Sequence, residues 1–178
     1  MTQRLSRGAH SAAEEGTCLM EQVALAADES FSDRPRCTPT ALSALAQQVN
    51  DRVSDAGRDR LLELVPALTT SASDDPVDAW ELVAVCARAA LAIRPDDRLA
   101  TRLLARAGRA QRRWSRLGLD GAPGRIAGLR ALPHLTAAFH RMAVLAGPAG
   151  SAERDDRLIA LLADAVGVRP EEQEFAAA

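Results

Sequence analysis

From Leu42 onward the apolar residues of this chain return every third or fourth position, and nowhere do they alternate as a half-buried strand requires. Helix start signals precede each periodic run. Thr38 caps a helix with Pro39 in its first turn, where a missing N–H costs nothing, and Leu42, Leu45, Ala46, Val49 and Val53 supply its apolar positions. Ser54 caps a run holding Leu61, Leu62, Leu64, Val65 and Leu68, which Pro66 should kink or end. Pro76 opens a helix through about Ile93, and Pro95 opens a longer one through about Leu117. A stretch over about 125–146 is expected to be interrupted by Pro133, and Ser151 caps a last amphipathic helix to about Val166.

The composition agrees with helices packed closely on one another. Aromatic residues make up 3% of the chain and Tyr is absent. The core must therefore come from Leu, Val and Ala, and Ala both favours helix and lets helix backbones approach. Too few β-branched and aromatic residues are present for a sandwich or barrel. No internal repeat of a solenoid type is visible. The expectation is an all-α fold, an irregular bundle of six or seven helices.

Ahead of these runs, residues 1–14 have no periodicity and read as a mobile tail, and a first helix starts at Gly16-Thr17 and runs to about Ala27. The Ser/Thr/Asp-rich stretch Thr69–Asp75 reads as a linker between an N-terminal part, 1–70, and a C-terminal part, 76–178, packed together as one domain. A length of 178 residues suits that size. No stretch is apolar for the ~20 residues a membrane span needs, and Met1 to Gly16 lacks the apolar core of a leader, so a cytoplasmic, membrane-free protein is expected. Three cysteines, an odd number in a reducing compartment, argue against a disulfide framework and allow metal ligation or free thiols.

Polar chemistry concentrates near the N-terminus, in Gly8-Ala9-His10, in Gly16-Thr17-Cys18-Leu19-Met20-Glu21 and in Ser32-Asp33-Arg34-Pro35-Arg36-Cys37. Cys18 and Glu21 are three apart on a helix and share a face. The loop of 28–36 is long enough to bring Cys37 back to the start of that helix, and His10 can reach the same place. Imidazole, thiolate and carboxylate are ligands of zinc or iron, so His10, Cys18, Glu21 and Cys37 form a candidate metal site. Three ligands plus water would suit hydrolytic or redox chemistry; four would suit a structural role. A helix N-terminus would also lower the Cys18 pKa and favour thiol chemistry. The plain alternative makes Cys18 a small core residue, Cys37 a packed loop residue and Glu21 a solvated position.

The pattern G-x-H…G-x-C-x-M-E…S-D-x-P-x-C, followed by a helix ending in Asn50-Asp51, resembles an actinomycete protein family to which no activity is attached. The resemblance covers about residues 7–70. It implies that His10, Cys18, Glu21, Asp33 and Cys37 belong to one site, with Asp33, Asn50 and Asp51 supporting the ligands. The chain departs from the family at Ala9, Ala12-Ala13 and Asp28-Glu29, all in or beside the segments that set the loop geometry.

A second candidate is a basic helix face. All 22 basic residues are Arg, against a net charge of −2, so any anion site must be local. Arg98, Arg102, Arg106, Arg109, Arg112, Arg113 and Arg116 fall within an arc of roughly 120° at helical spacing. Such a face could hold an acidic protein partner or the phosphates of nucleic acid. It could equally be neutralised by Glu153, Asp155, Asp156, Asp164, Glu171, Glu172 and Glu174, and no aromatic stacking platform accompanies it. His134 and His140 do not share a face, Cys86 sits among apolar neighbours, and no nucleotide-binding or serine-hydrolase sequence motif occurs. A metal-binding protein of this kind, enzyme or not, is the first expectation, and a non-catalytic interaction module is the second.

Overall fold

A computed structural model describes residues 4–73, 75–117 and 122–167. The expected all-α bundle is what forms. Its helices are α1 (Leu19–Ala26), α2 (Thr40–Arg52), the short α3 (Asp55–Arg58), α4 (Val65–Thr69), α5 (Pro76–Ile93), α6 (Arg98–Leu117), α7 (Ala122–Leu145) and α8 (Ala152–Ala165). Among the described residues the only bridge of β type is a single parallel pairing of Leu5 with Thr17. No described helix is long and apolar enough to cross a membrane.

Helix α5 is the axis of the bundle. Ala79, Trp80, Leu82, Val83, Ala84, Val85, Cys86, Ala87 and Ala90 are all buried, around most of the helix, and the strip of Asp78, Glu81 and Arg88 meets solvent. It packs chiefly against α7 and α6, and α7 in turn carries α2. One continuous apolar cluster runs from Leu5 through Leu45, Val83 and Phe139 to Leu162. The stretch 69–75 therefore connects two parts that share one core.

Several boundaries differ from expectation for identifiable reasons. Pro39 sits at the N-cap of α2 with extended dihedrals, and the Thr38 hydroxyl instead donates to the Leu68 carbonyl at 3.0 Å, tying α2 to the end of α4. Ser54 caps as expected, accepting from the Gly57 N–H at 3.2 Å, but its run breaks into α3, a 3-10 segment (Asp59–Leu64) and α4. Pro66 starts that last piece and does not break it, since a proline in a first turn deprives the helix of nothing. Asp97, not Pro95, leads into α6: its carboxylate accepts from the Ala100 N–H at 2.9 Å and from Arg141 of α7. Those contacts, Arg141 first, hold the Asp97 carboxyl down at about 2. Pro133 does not interrupt α7. The lost N–H deprives only the carbonyl of Leu129, an exposed residue, while Ala131, Leu135, Ala138, Phe139 and Met142 stay buried along one face.

Two buried polar side chains hold helix ends. Arg58 donates from Nε to the Asn50 carbonyl and from Nη2 to the Val53 carbonyl, each at 3.0 Å, covering the C-terminus of α2 where free carbonyls gather. Asp155 accepts from the Ser54 N–H at 3.0 Å and from its hydroxyl, fixing α8 to the cap of α3. A Cβ on Gly57 would stand 2.6 Å from that carboxylate, so glycine is what lets the two helices meet.

Candidate functional site

Residues 4–17 are not a loose tail. The Ser6 N–H donates to the Thr17 carbonyl at 2.8 Å, the Leu5 N–H to Asp59 at 3.0 Å and the Gly8 N–H to Asp51 at 3.0 Å. Leu5 enters the core at 6% exposure. The absence of periodicity in this segment is real, but an arm laid over a bundle needs none, because its backbone groups find partners singly.

The arm closes on Glu21. That residue occupies the first turn of α1 and is fully buried. Its Oε1 accepts from the His10 N–H at 2.6 Å. Its Oε2 accepts from the Cys18 N–H at 2.7 Å and lies 2.8 Å from His10 Nδ1. Burial alone would raise its pKa; the two backbone donors and the His10 ring outweigh that and hold it below the ordinary carboxylate value. Glu21 is therefore an ionised, fully engaged carboxylate at the positive end of a helix.

His10 continues the chain of contacts. With Nδ1–H directed at the carboxylate, a neutral ring presents a lone pair at Nε2, and the Ser6 hydroxyl lies 3.0 Å from it. The same hydroxyl is 3.2 Å from the Thr17 carbonyl. Gly16 makes the approach possible. Its φ of +128° lies in the region that favours glycine, and a Cβ there would stand 2.7 Å from Ser6 Oγ and 3.2 Å from His10 Nε2. Ser6 opens into a surface groove of about 700 Å³ lined by Arg4, Leu5, Arg7, Asp55 and Asp59. Nothing in the local pattern marked Ser6, because four-residue spacing has no meaning outside a helix.

The expected seven-residue constellation divides in two. His10, Cys18, Glu21, Asn50 and Asp51 assemble at the arm: Asn50 accepts from the Leu19 N–H at 3.3 Å and donates to the Ser6 carbonyl at 2.8 Å. Cys37 and Asp33 lie elsewhere, and this corrects the expectation of a single site. The Cys37 N–H donates to Glu29 at 2.9 Å, and Glu29 is itself bonded back to Ala24 near the end of α1. Asp33 receives the Gln47 amide. Helices α1 and α2 run antiparallel, so the residue before each start lies at the opposite end of the pair, about 12 Å apart for eight helical residues. The cysteines are all free, and among the described residues no group of three or more His, Cys, Asp and Glu stands where it could hold a metal ion.

The thiols are also not primed. Burial, helped by the Glu21 charge, pushes Cys18 up to about 12, the reverse of the lowering expected from its place at a helix start. Burial raises Cys37 as well and takes Cys86 to about 12.

The arginine face is present on α6. Arg98, Arg102, Arg106, Arg109, Arg112, Arg113 and Arg116 are all exposed, while Ala100, Leu103 and Ala107 turn inward. No carboxylate among the described residues lies within 4.0 Å of any of the seven. The acids of α8 are engaged elsewhere: Glu153 with Arg157, Asp156 with Arg60 and Asp155 with Ser54. Asp164 borders a separate cleft, and Glu171, Glu172 and Glu174 lie outside the described residues. Two exposed leucines, Leu99 and Leu117, lie along one border of the stripe at helical phase. No protein-family model, no curated protein and no solved structure matches this chain.

Proposed function

We propose that this protein is an interaction module that binds an acidic protein surface through the arginine face of α6. The observation that carries the reading is the set of seven exposed guanidinium groups on one helix with no described carboxylate in contact. A 20-residue helix presents them over about 30 Å. Arg is the residue suited to paired recognition of carboxylates, and it is enriched where protein surfaces meet. The flanking Leu99 and Leu117, about half exposed, favour a protein partner over a phosphate backbone, which offers nothing for apolar side chains to bury against.

The test uses the full chain and three probes matched in charge: an Asp/Glu-rich peptide with interspersed leucines, the same peptide with the leucines replaced by serine, and a short DNA duplex. Anisotropy is read at about 50 mM and about 200 mM salt. The leucine-containing peptide is expected to bind tightest, and reversal of Arg102, Arg109 and Arg113 to Glu to weaken it at least tenfold. Tighter binding of the duplex, with a steep salt slope, would move the face to nucleic acid. Failure of all three probes at the lower salt would end the reading.

A further inference from the structure

We infer that Ser6, His10 and Glu21 form a nucleophile–base–carboxylate relay able to accept an acyl group from a carboxylic ester or thioester bound in the groove beside Ser6. Such a relay is recognised by the roles its members can play, and not by sequence order. The carboxylate is buried and ionised and lies 2.8 Å from Nδ1, which fixes the ring tautomer; Nε2 is then a base 3.0 Å from a hydroxyl. Both separations are within the range for proton transfer and nucleophile activation. The inference is independent of the α6 face.

The geometry has features that a simple backbone latch does not need. Glu21 already fixes the arm through the backbone N–H groups of His10 and Cys18. Asn50 and Asp51 fix it through Ser6 and Gly8. The Ser6 hydroxyl has one proton and two acceptors in reach, His10 Nε2 at 3.0 Å and the Thr17 carbonyl at 3.2 Å; the Ser6 N–H already serves that carbonyl, which leaves the hydroxyl proton for the nearer ring nitrogen. Yet the fold places a glycine of positive φ at position 16, where any Cβ would press on Ser6 Oγ and His10 Nε2. Ser6 is half-buried and is one of the residues that border an open groove.

The step balances with ester and water alone. Ser6 Oγ forms a bond to the carbonyl carbon as its proton passes to His10 Nε2. The bond to the alkoxy or thiolate leaving group breaks, and that group departs with the Nε2 proton. Water then attacks the acyl-serine by the same route, releasing the acid and restoring Ser6. Of the three arginines that border the groove, Arg58 is held by the α2 carbonyls and Arg7 lies 3.8 Å from Asp55, which leaves Arg4 to meet the carbonyl oxygen as it takes up charge. Glu21 acts as a positioning residue, holding the tautomer and offsetting the charge of the imidazolium.

A fluorophosphonate probe and p-nitrophenyl acetate, applied to the full chain, test this. The probe is expected to add to Ser6, located by mass spectrometry of peptides, and to fail on Ser6→Ala. His10→Gln should slow labelling by roughly 10²–10⁴-fold. Glu21→Gln should slow it comparably at unchanged helical circular dichroism, because an amide turns the ring to the other tautomer and puts Nε2–H toward Ser6. Absence of a Ser6 adduct on the folded wild-type chain overturns the inference without recourse to any variant. So does labelling that is unchanged in a folded His10→Gln chain.

Discussion

Removing the Glu21 carboxylate tests whether it is what closes the N-terminal arm. Glu21→Ala strands three donors: the N–H groups of His10 and Cys18, and His10 Nδ1–H. Each unsatisfied buried donor costs about 1–3 kcal/mol, and the His10 ring can turn to water because it is partly exposed. The expected loss is about 3–5 kcal/mol, in line with breaking a buried charged network. Glu21→Gln is milder. Its amide oxygen still accepts from one backbone donor, and its NH₂ can donate to His10 Nδ1 if the ring changes tautomer. Only one backbone N–H stays unmatched, so the loss should be about 1–3 kcal/mol. At about 2–4 °C per kcal/mol for a chain of this size, Glu21→Ala should lower Tm by roughly 6–20 °C. Guanidinium unfolding followed by circular dichroism and by Trp fluorescence gives the two free-energy losses, thermal unfolding gives Tm, and coincidence of the two guanidinium curves checks two-state behaviour. A loss under about 1 kcal/mol for Glu21→Ala, or equal losses for Ala and Gln, would refute the reasoning.

Acid should weaken the fold. Glu21 and Asp97 have folded pKa values below their unfolded ones, so their contribution is present above about pH 4, where the unfolded chain titrates, and is lost as pH falls through the folded values. Stability measured from about pH 5 downward should decline, and Glu21→Gln and Asp97→Asn should each flatten the slope. A native-state thiol reagent should modify Cys37 first and leave Cys18 and Cys86 protected until unfolding, read by mass spectrometry. The losses from Cys18→Ala and Cys37→Ala, each around 1 kcal/mol, should add in the double variant, because the two lie at opposite ends of α1; a double variant little worse than either single one would restore a shared site. Gly16→Ala should cost about 1–3 kcal/mol from its backbone conformation and displace Ser6 from His10, visible as loss of the His10 ring contact in NMR spectra.

The helices were legible because periodicity and caps act locally. Ser54, Asp75 and Ser151 each accept the backbone N–H that a cap should. Proline was harder to read, because its effect depends on which carbonyl it deprives: Pro66 and Pro133 both stand in helices that continue, one in a first turn and the other opposite an exposed residue. Of the arm, only the meeting of His10 with Cys18 and Glu21 was legible; its order was not. Its order comes from side chains 11 to 54 residues distant, such as Glu21, Asn50 and Asp59, and such partners leave no periodic mark. The two glycines of the motif carried the missing information, since Gly8 and Gly16 both adopt positive φ.

The division of the constellation was in principle readable from topology. Cys18 directly precedes α1, and Cys37 stands just ahead of α2. A loop that returns the chain antiparallel puts those two starts at opposite ends, whatever its length. The second half of α2 is therefore the neighbour of Cys18, and Cys37 the neighbour of the end of α1; the bonds of Asn50 to Leu19 and of Glu29 to Cys37 and Ala24 give the register. Ligand chemistry suggested a four-donor cluster because it weighs residue types without their helix polarity. Polarity assigns each motif its own task. S-D-x-P-x-C closes the α1–α2 loop on Glu29 and Gln47, and G-x-H with G-x-C-x-M-E closes the arm on Glu21. Only the second closure leaves a hydroxyl, an imidazole and a carboxylate in successive contact, with Ser6 at the edge of a groove. For that reason reactivity should follow Ser6 and His10 and be indifferent to Cys37.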